Sequence, residues 1–377
     1  MAGRIDSIDT VRILAMVFVI IIHTDPFEGL GATANGVNFV LESTARFAVP
    51  FFFVAAGYFF ARKTAASDPT EYLRERLISI GSIYVFGLSF AALVFLLNMG
   101  REAAMANRDV LAAVVDKGME YVAPVELLYY GTAVSEILWF LPALAYSYVF
   151  IYLFVKLEKT TYLIPVALGI HVVGLLGQGY AGFGGIALET RDPLFFGFFY
   201  TALGYVIAAS DWRPSPDRRV VYLGATVFFG VFHVVERYLL GYVLQGETFA
   251  EGVYAPSYTI GTILVTVSLF CLLLATPRLG SGTVLPAWGR KYAVGIYVVH
   301  PAVLFVLVQL RDELSLGGTP LGETVLWHLV FTPATFFGAF LICLVISVVG
   351  DTSPRRIPIS IVHRVRNRIP VVGSDRV

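Results

Sequence analysis

The chain is organised as long blocks of apolar residues separated by short polar connections. Ten blocks can be marked, each close to the roughly 20 apolar residues that an α-helix needs to cross a bilayer. They lie at about 9–28, 37–61, 78–99, 135–155, 160–178, 193–210, 219–240, 257–276, 289–310 and 324–349. Because backbone polar groups in lipid must be satisfied within their own segment, the pattern predicts about ten transmembrane helices.

These blocks do not show the pattern of membrane-spanning strands. Such a strand alternates apolar and polar residues over about ten positions. The first block instead contains the uninterrupted apolar run 17–22. The predicted fold class is therefore all-α, a polytopic integral membrane protein.

Composition agrees with the pattern and excludes an ordinary soluble domain. The 377 residues are 57% hydrophobic and only 14% charged, whereas a soluble domain has about 25% charged residues. Cys271 and Cys343 both lie inside apolar blocks, so neither a disulfide framework nor a cysteine metal site is expected. The net charge of zero by itself neither favours nor excludes an anionic partner.

Lys and Arg residues are concentrated in alternate connections, which predicts the orientation. With the N-terminal end in the cytoplasm, every even-numbered connection is basic. An even number of helices also places the arginine-rich tail 351–377 inside. We therefore expect a ten-helix domain at 1–350 and a basic cytoplasmic tail at 351–377, multi-pass in the plasma membrane. No small-x-small cleavage site follows the first block, which we expect to stay attached.

Two connections stand out. The longest, 100–134, falls outside in this topology, is mixed in charge, and is expected to hold a short surface helix. The glycine-rich stretch 179–185 is expected to be a flexible outer turn. No internal repeat and no separate soluble domain is visible.

Polar side chains inside the blocks are the candidates for chemistry, because burying a charge in a span costs about 2.5–3.5 kcal/mol. His23 follows Arg12 by eleven residues, which is about 16 Å along a helix. If Arg12 marks the inner face, His23 lies deep. His300 lies similarly deep, ten residues after Arg290, and Arg46 lies within the second block. Because imidazole titrates near neutral pH, either histidine could transfer a proton.

The alternative for an intramembrane histidine is a structural hydrogen bond between helices. We assign this role to His171, His233 and His328. On a helix, His233 can meet Glu236 or Arg237, which follow it at three and four positions.

Other catalytic patterns are absent from the sequence. Asp25 lies two residues from His23 and is expected to point away from it on a helix. The chain has no phosphate-binding glycine loop, no Gly-x-Ser-x-Gly motif and no His-Glu-x-x-His motif.

Five stretches, in order, carry a resemblance to a known family. They are 6–15 followed by His23, then 46–58, 139–142, 195–205 and 289–301. They contain Asp-Thr-Val-Arg, Arg-Phe-Ala-Val-Pro, Trp-Phe-Leu-Pro, Phe-Phe-Gly-Phe-Phe-Tyr and Gly-Arg-Lys-Tyr, respectively. In these stretches, and in the spacing of ten residues between a basic residue and a histidine, the chain resembles membrane acyltransferases of the acyltransferase-3 type. These include O-acetyltransferases of bacterial polysaccharides.

The resemblance implies an acyl-CoA-dependent O-acyltransferase in the lipid bilayer. The donor would be acyl-CoA, with acetyl-CoA expected, on the cytoplasmic side. The acceptor would be a hydroxyl of a glycan or lipid-linked sugar on the outer side. No metal and no nucleic-acid partner is expected, and the oligomeric state is left open.

The resemblance also implies roles for individual residues. His23 would be the general base or a transient carrier of the acyl group, with His300 as a second catalytic or supporting residue. Substrate or acyl-CoA binding would fall to Asp9, Arg12, Arg46, Arg74, Arg76, Trp139 and Arg290. In one departure, the family's two arginines, three positions apart in the loop after helix 2, are here Arg76 and Ser79, so Arg74 is the nearest second arginine.

Three other interpretations stay open at this point. Arg12, Arg74 and Arg76 could simply hold their connections inside the cell. The chain could be a transporter or flippase in which buried His and Arg residues line a substrate pathway, although no inverted repeat is visible. It could also be a scaffold or sensor that keeps the fold without the chemistry.

Overall fold

The fold is taken from a computed structural model, which describes residues 4–183, 190–210, 212–251 and 256–352. The predicted basic tail 351–377 lies almost entirely outside the described residues. So does most of the glycine-rich turn beyond Phe183.

The described part of the chain is almost entirely helical. Its α-helices are α1 (Asp6–Thr24), α2 (Ala32–Ala45), α3 (Ala48–Thr64), α4 (Pro69–Met105), α5 (Val110–Glu120), α6 (Phe140–Lys156), α7 (Leu163–Leu176), α8 (Phe198–Ala209), α9 (Arg219–Tyr238), α10 (Ile260–Ala275), α11 (Leu285–Glu313) and α12 (Val325–Thr352). A two-stranded antiparallel hairpin, β1 (Ser315–Leu316) with β2 (Thr319–Pro320), links α11 to α12.

Among the described residues, six helical stretches are long and apolar enough to cross a membrane. They are Asp6–Thr24, Ala32–Thr64, Pro69–Met105, Pro216–Val243, Leu285–Glu313 and Val325–Val349. The other four predicted blocks coincide with shorter apolar helices, Phe140–Lys156, Thr160–Leu176, Pro193–Ala209 and Ile260–Ala275. A helix of 16 residues is about 24 Å long, slightly less than the hydrocarbon core. The prediction of a helical membrane protein is confirmed.

The second predicted helix is interrupted, which corrects the sequence-based boundaries. A continuous helix was expected at 37–61, but α2 ends at Ala45 and α3 begins at Ala48, with Arg46 at the junction. Pro50 explains the break. A proline clashes with the carbonyl four residues earlier and cannot donate to it, and here that carbonyl belongs to Arg46.

The third helix begins much earlier than expected. It starts at Pro69, and the Asp68 side chain caps it by accepting a hydrogen bond from the Thr70 N–H at 3.1 Å. Aspartate before proline is a strong helix-start signal. Arg74 and Arg76 therefore lie on the first turns of α4, and the prediction that they occupy a loop is wrong.

The long connection after α4 folds back along that helix. Its first part forms the surface helix α5, as predicted. Further on, the Tyr84 hydroxyl donates to the Leu127 carbonyl at 2.7 Å. Tyr84 lies near the middle of the 37-residue α4, so residues around Leu127 lie at the depth of that helix. This part of 100–134 therefore packs against the side of α4.

Close backbone contacts hold the helices around the centre of the molecule. A Cβ atom on Gly57 of α3 would lie 1.9 Å from the Thr201 carbonyl oxygen of α8. In the same way, a Cβ on Gly204 of α8 would lie 1.9 Å from the Val54 carbonyl oxygen. Glycine is therefore required at both positions, because any side chain would force α3 and α8 apart.

Candidate functional site

A cavity of about 270 Å³ runs between five helices in the centre of the molecule. Each helix contributes one face, because residues three or four positions apart lie on the same side of a helix. The lining residues are Arg12, Met16, Val19 and His23 of α1; Val49, Phe52, Ala56 and Phe59 of α3; Tyr72, Arg76, Ser79, Ile80 and Ile83 of α4; Ile137 and Trp139 before α6 and Phe140, Leu141, Leu144 and Tyr148 within it; and Gly289, Arg290, Ala293, Val294 and Tyr297 of α11.

The first helix contributes both predicted functional groups to this cavity. Arg12 and His23 line it together, because eleven residues make about three helical turns and return to the same face. The two side chains start about 16 Å apart along α1. The cavity therefore joins a guanidinium to an imidazole along a mainly apolar and aromatic wall.

One end of the cavity is strongly basic. Arg12, Arg76 and Arg290 line it, although they come from three different helices. The Arg76 Nε donates to the Tyr72 hydroxyl at 2.7 Å. Its guanidinium also lies 5.0 Å from the Tyr72 ring centroid. Three predicted binding residues thus meet at one end, and Tyr72 orients one of them.

Asp9 lies behind two of these arginines. Its Oδ1 accepts from Arg12 at 2.8 Å and its Oδ2 accepts from Arg290 at 2.8 Å. Asp9 is a buried residue with 6% exposure. The resemblance assigns Asp9 to ligand binding, but the structure gives it contacts with the arginines.

The other end of the cavity brings two histidines together. The ring centroids of His23 and His300 are 5.8 Å apart. The Nδ1 of His300 lies 3.1 Å from the Ile296 carbonyl, to which it donates. In the neutral ring this leaves Nε2 as an acceptor, and this buried atom has no hydrogen-bond partner among the described residues. His23 lines the cavity and His300 does not, so His300 lies adjacent to the cavity, beside His23.

Trp139 and Tyr297 form the wall beside His23. The Tyr297 hydroxyl donates to the Ile137 carbonyl at 2.5 Å and fixes the irregular segment before α6. The Arg191 guanidinium lies 5.9 Å from the Trp139 ring centroid. Trp139 thus lines the cavity and also contacts a charged side chain.

Asp25 follows His23 closely but does not continue its helix. α1 ends at Thr24, and Asp25 adopts a left-handed conformation with φ of 40°. The expectation that Asp25 points away from His23 assumed that both lie on one helix, and Asp25 lies beyond the end of α1. Burial and the neighbouring Glu28 raise the pKa of Asp25 to about 6, against the opposing effects of Arg46 and Asn38.

Arg46 lies in a buried ion-pair cluster instead of on the cavity wall. It pairs with Glu42 one turn earlier, and Glu42 also accepts from Arg237 of α9 at 2.7 Å. Arg237 further donates to Ser43 at 2.9 Å and to the Pro256 carbonyl at 2.6 Å. The resemblance assigns Arg46 to substrate binding, but the structure places it outside the cavity lining, in the cluster through which Glu42 and Arg237 join α2 to α9.

The remaining predicted arginine, Arg74, points elsewhere. Arg74, Arg76 and Ser79 are all exposed on α4, but only Arg76 and Ser79 line the cavity. Position 79 is five residues after Arg74, or about 140° around the helix, so Arg74 lies on another face and cannot replace an arginine at 79. The basic end depends instead on Arg290 of α11.

His171 and His328 have the structural contacts expected of them. The His171 Nδ1 donates to the Phe195 carbonyl at 2.7 Å, and its ring stacks on Phe199 with centroids 4.4 Å apart. The His328 Nδ1 accepts from the Phe27 N–H at 2.8 Å. Both rings are thus held by neighbouring elements.

His233 also makes the predicted contact. Its Nδ1 lies 3.7 Å from Glu236 and 3.1 Å from the Thr259 hydroxyl. Glu236 in turn accepts from Thr259 at 2.6 Å and from the Gly261 N–H at 2.7 Å. This network secures the start of α10. Among the described residues, no group of three or more His, Cys, Asp or Glu side chains could hold a metal ion.

Sequence analysis missed several aromatic residues of the cavity. Tyr72 and Tyr148 line the basic half, and Tyr297 lines the histidine end. Only Tyr72 had a local signal, because it precedes Arg76 by four residues. The others depend on how the helices pack.

Comparison with known proteins agrees with the resemblance. A family model described as an acyltransferase domain matches residues 5–349. The chain belongs to the acyltransferase-3 family. The match covers all five helices that line the cavity and every predicted site residue, so the site lies within the family domain.

One curated relative of this family member is an amino-acid racemase from Enterococcus faecalis. It is 26% identical over 328 residues, covering 81% of this chain and 42% of the relative. The chain thus spans less than half the length of the curated relative that it matches. No solved structure matches.

Proposed function

We propose that this family member is a membrane-embedded O-acyltransferase. It would move an acyl group, in the first instance acetyl, from acyl-CoA to a hydroxyl of a glycan or lipid-linked sugar. The observation that carries the proposal is the single cavity with Arg12, Arg76 and Arg290 at one end and His23 at the other. Arginine binds phosphate oxygens through paired N–H groups, so the basic end suits the phosphates of CoA.

The length of the cavity supports the same donor. The distance of about 16 Å along α1 corresponds to about five residues of fully extended chain. The pantetheine arm of CoA is a narrow, extended chain of comparable reach. With its phosphates at the arginines, its thioester would come close to His23.

His23 would act on the acceptor hydroxyl. As general base it takes the hydroxyl proton while the oxygen attacks the thioester carbonyl. The new C–O bond forms, the C–S bond breaks, and the proton passes from the imidazole to the departing thiolate. In the alternative role, an imidazole nitrogen attacks the thioester carbonyl and the CoA thiolate leaves. The acceptor hydroxyl then attacks the acyl group, the C–N bond breaks, and the hydroxyl proton passes to the thiolate. His300, with its ring 5.8 Å away, would orient His23 or share the proton.

The proposed topology has ten spans in the plasma membrane. Both ends of 1–350 and the tail 351–377 would lie in the cytoplasm. Each predicted block coincides with an apolar helix, and basic residues lie in alternate connections. The donor would then bind from the cytoplasm and the acceptor from the outer side.

The test uses purified protein with labelled acetyl-CoA and a panel of lipid-linked sugars. We expect wild-type protein to bind CoA and transfer label to an acceptor. His23→Ala should reduce transfer by about 10²- to 10⁴-fold while it still binds CoA. His328→Gln, which alters a histidine outside the cavity, is the matched control. Undiminished transfer by the His23 variant would refute the mechanism, and lack of CoA binding by wild type would favour a transporter.

A further inference from the structure

The basic end of the cavity contains one carboxylate that is shared by two arginines from different helices. The two oxygens of Asp9 each accept one hydrogen bond of 2.8 Å, one from Arg12 of α1 and one from Arg290 of α11. Two guanidinium groups that bind the two oxygens of one carboxylate must lie next to each other. Their spacing is therefore set by Asp9.

The backbone around Asp9 is fixed as tightly as its side chain. A Cβ atom on Gly289 would lie 1.8 Å from the Asp9 carbonyl oxygen. The two helices thus touch at the residue before Arg290. The Arg12 guanidinium also lies 5.0 Å from the Phe59 ring centroid. Both arginines are held before any ligand arrives, which lowers the entropic cost of binding.

The cluster of Asp9, Arg12 and Arg290 carries a net positive charge, which favours binding of an anion. Arg12 and Arg290 share one buried carboxylate, and both side chains keep partial exposure, 26% and 35%. Asp6 approaches Arg290 only to 3.6 Å and pairs with Arg4 at 2.7 Å. A net positive charge therefore faces the cavity, where Arg76 adds to it.

We propose that Asp9 is a positioning residue, which holds Arg12 and Arg290 as a pair that binds the diphosphate of a nucleotide thioester donor. This inference rests on the proposed function and narrows its donor class. A diphosphate carries two adjacent anionic groups, and two adjacent guanidiniums can bind both of them. A donor with a single phosphate, such as phosphopantetheine, can engage only part of the pair.

Removal of the Asp9 charge separates positioning from simple charge neutralisation. If Asp9 only competed with the ligand for the arginines, Asp9→Asn would add net positive charge and strengthen anion binding. If Asp9 positions them, the amide cannot accept from both guanidiniums through two oxygens, and the pair loses its spacing. The two roles therefore predict opposite changes in affinity.

The test measures binding of CoA, phosphopantetheine and pantetheine to purified wild-type protein and the Asp9→Asn variant. We expect the variant to bind CoA about tenfold more weakly or worse, which corresponds to about 1.4 kcal/mol. Affinity for pantetheine should not change, because it carries no phosphate. Asp6→Asn is the control for charge alone, since it removes an equal negative charge 3.6 Å from Arg290 but leaves the two-oxygen bridge of Asp9 in place. Melting temperatures of all variants check the fold.

The outcomes are distinguishable. Equal or tighter CoA binding by Asp9→Asn, with wild type binding CoA, overturns the positioning role alone. An equal loss for CoA and pantetheine also overturns it, because that loss would be independent of phosphate. If wild-type protein does not bind CoA, that result overturns the proposed function and also the proposed donor class.

Discussion

Two regions of this molecule have the same arrangement of charges in different surroundings. In each, one buried acid is shared by two arginines. At the basic end of the cavity, Asp9 is shared by Arg12 and Arg290, whose side chains are 26% and 35% exposed. In the second region, Glu42 is shared by two arginines that are almost completely buried.

The second region is closed on all sides that the structure describes. Arg46 and Arg237 are 10% and 0% exposed, and Glu42 is 1% exposed. Their hydrogen bonds join α2, α9 and the Pro256 carbonyl. The comparison teaches that the same three charges can line an open cavity, as Asp9 and its arginines do, or form a buried contact between helices, as Glu42 and its arginines do.

The largest effect should come from the acid of the closed region. Glu42→Gln removes the carboxylate that two buried guanidiniums share, and removing one member of a buried ion pair costs about 3–5 kcal/mol. We expect a large drop in the melting temperature of the purified protein and poor yield. Asp9→Asn should have a much smaller effect on melting, because its arginines can turn towards the cavity. Similar losses in both variants would break the comparison.

The second effect is the dependence of protein stability on pH through Asp25, whose pKa is affected by Arg46 of the second region. The folded pKa of Asp25, about 6, exceeds its ordinary value of 3.8. The stability that this shift contributes is present below about pH 4 and is lost as the pH rises through about 6. Asp25→Asn should therefore stabilise the protein above pH 6, by up to about 3 kcal/mol, with no gain near pH 4.

The measurement for Asp25 is the difference in melting temperature between variant and wild type from pH 4 to pH 7.5. Groups that both proteins share cancel in this difference. Asp217→Asn, at an exposed acid before α9, is the control. A difference for Asp25→Asn that is independent of pH would contradict the assignment.

The smallest effect separates two neighbouring arginines of α4. Arg76 lines the cavity and Arg74 is exposed on another face. Arg76→Gln should weaken CoA binding about tenfold, or about 1.4 kcal/mol, since a charged hydrogen bond contributes about 1.5–3 kcal/mol. Arg74→Gln should leave the affinity unchanged. Equal losses, measured by calorimetric titration, would mean that both act only through the overall positive charge.

Sequence predicted those parts of the site that depend on one helix. Arg12 and His23 lie on one face because eleven residues complete three turns, and this rule needs no knowledge of other helices. The positions of the apolar blocks were also predicted well, because membrane depth imposes a minimum length on each. Their ends were less accurate, as the break near Pro50 shows.

The rest of the site depends on contacts between distant parts of the chain. Arg46 was a candidate for chemistry from its position in a span. In the structure it shares Glu42 with Arg237, which is about 190 residues away in the sequence. A local clue existed, since Glu42 precedes Arg46 by four residues and such spacing allows an ion pair. For Asp9, no sequence rule could place Arg290 beside it, because that contact depends on how α1 and α11 cross.

The glycine contacts between α3 and α8 have a mechanical consequence. Because the backbones of α3 and α8 touch at Gly57 and Gly204, neither helix can slide or roll against the other without atoms overlapping. We therefore expect the two helices to move as one rigid unit. The α3 wall of the cavity belongs to that rigid unit. α4 also lines the cavity, and only 5 of its 37 residues are buried. If the cavity has to widen for the proposed donor, we therefore expect α4 to move rather than α3.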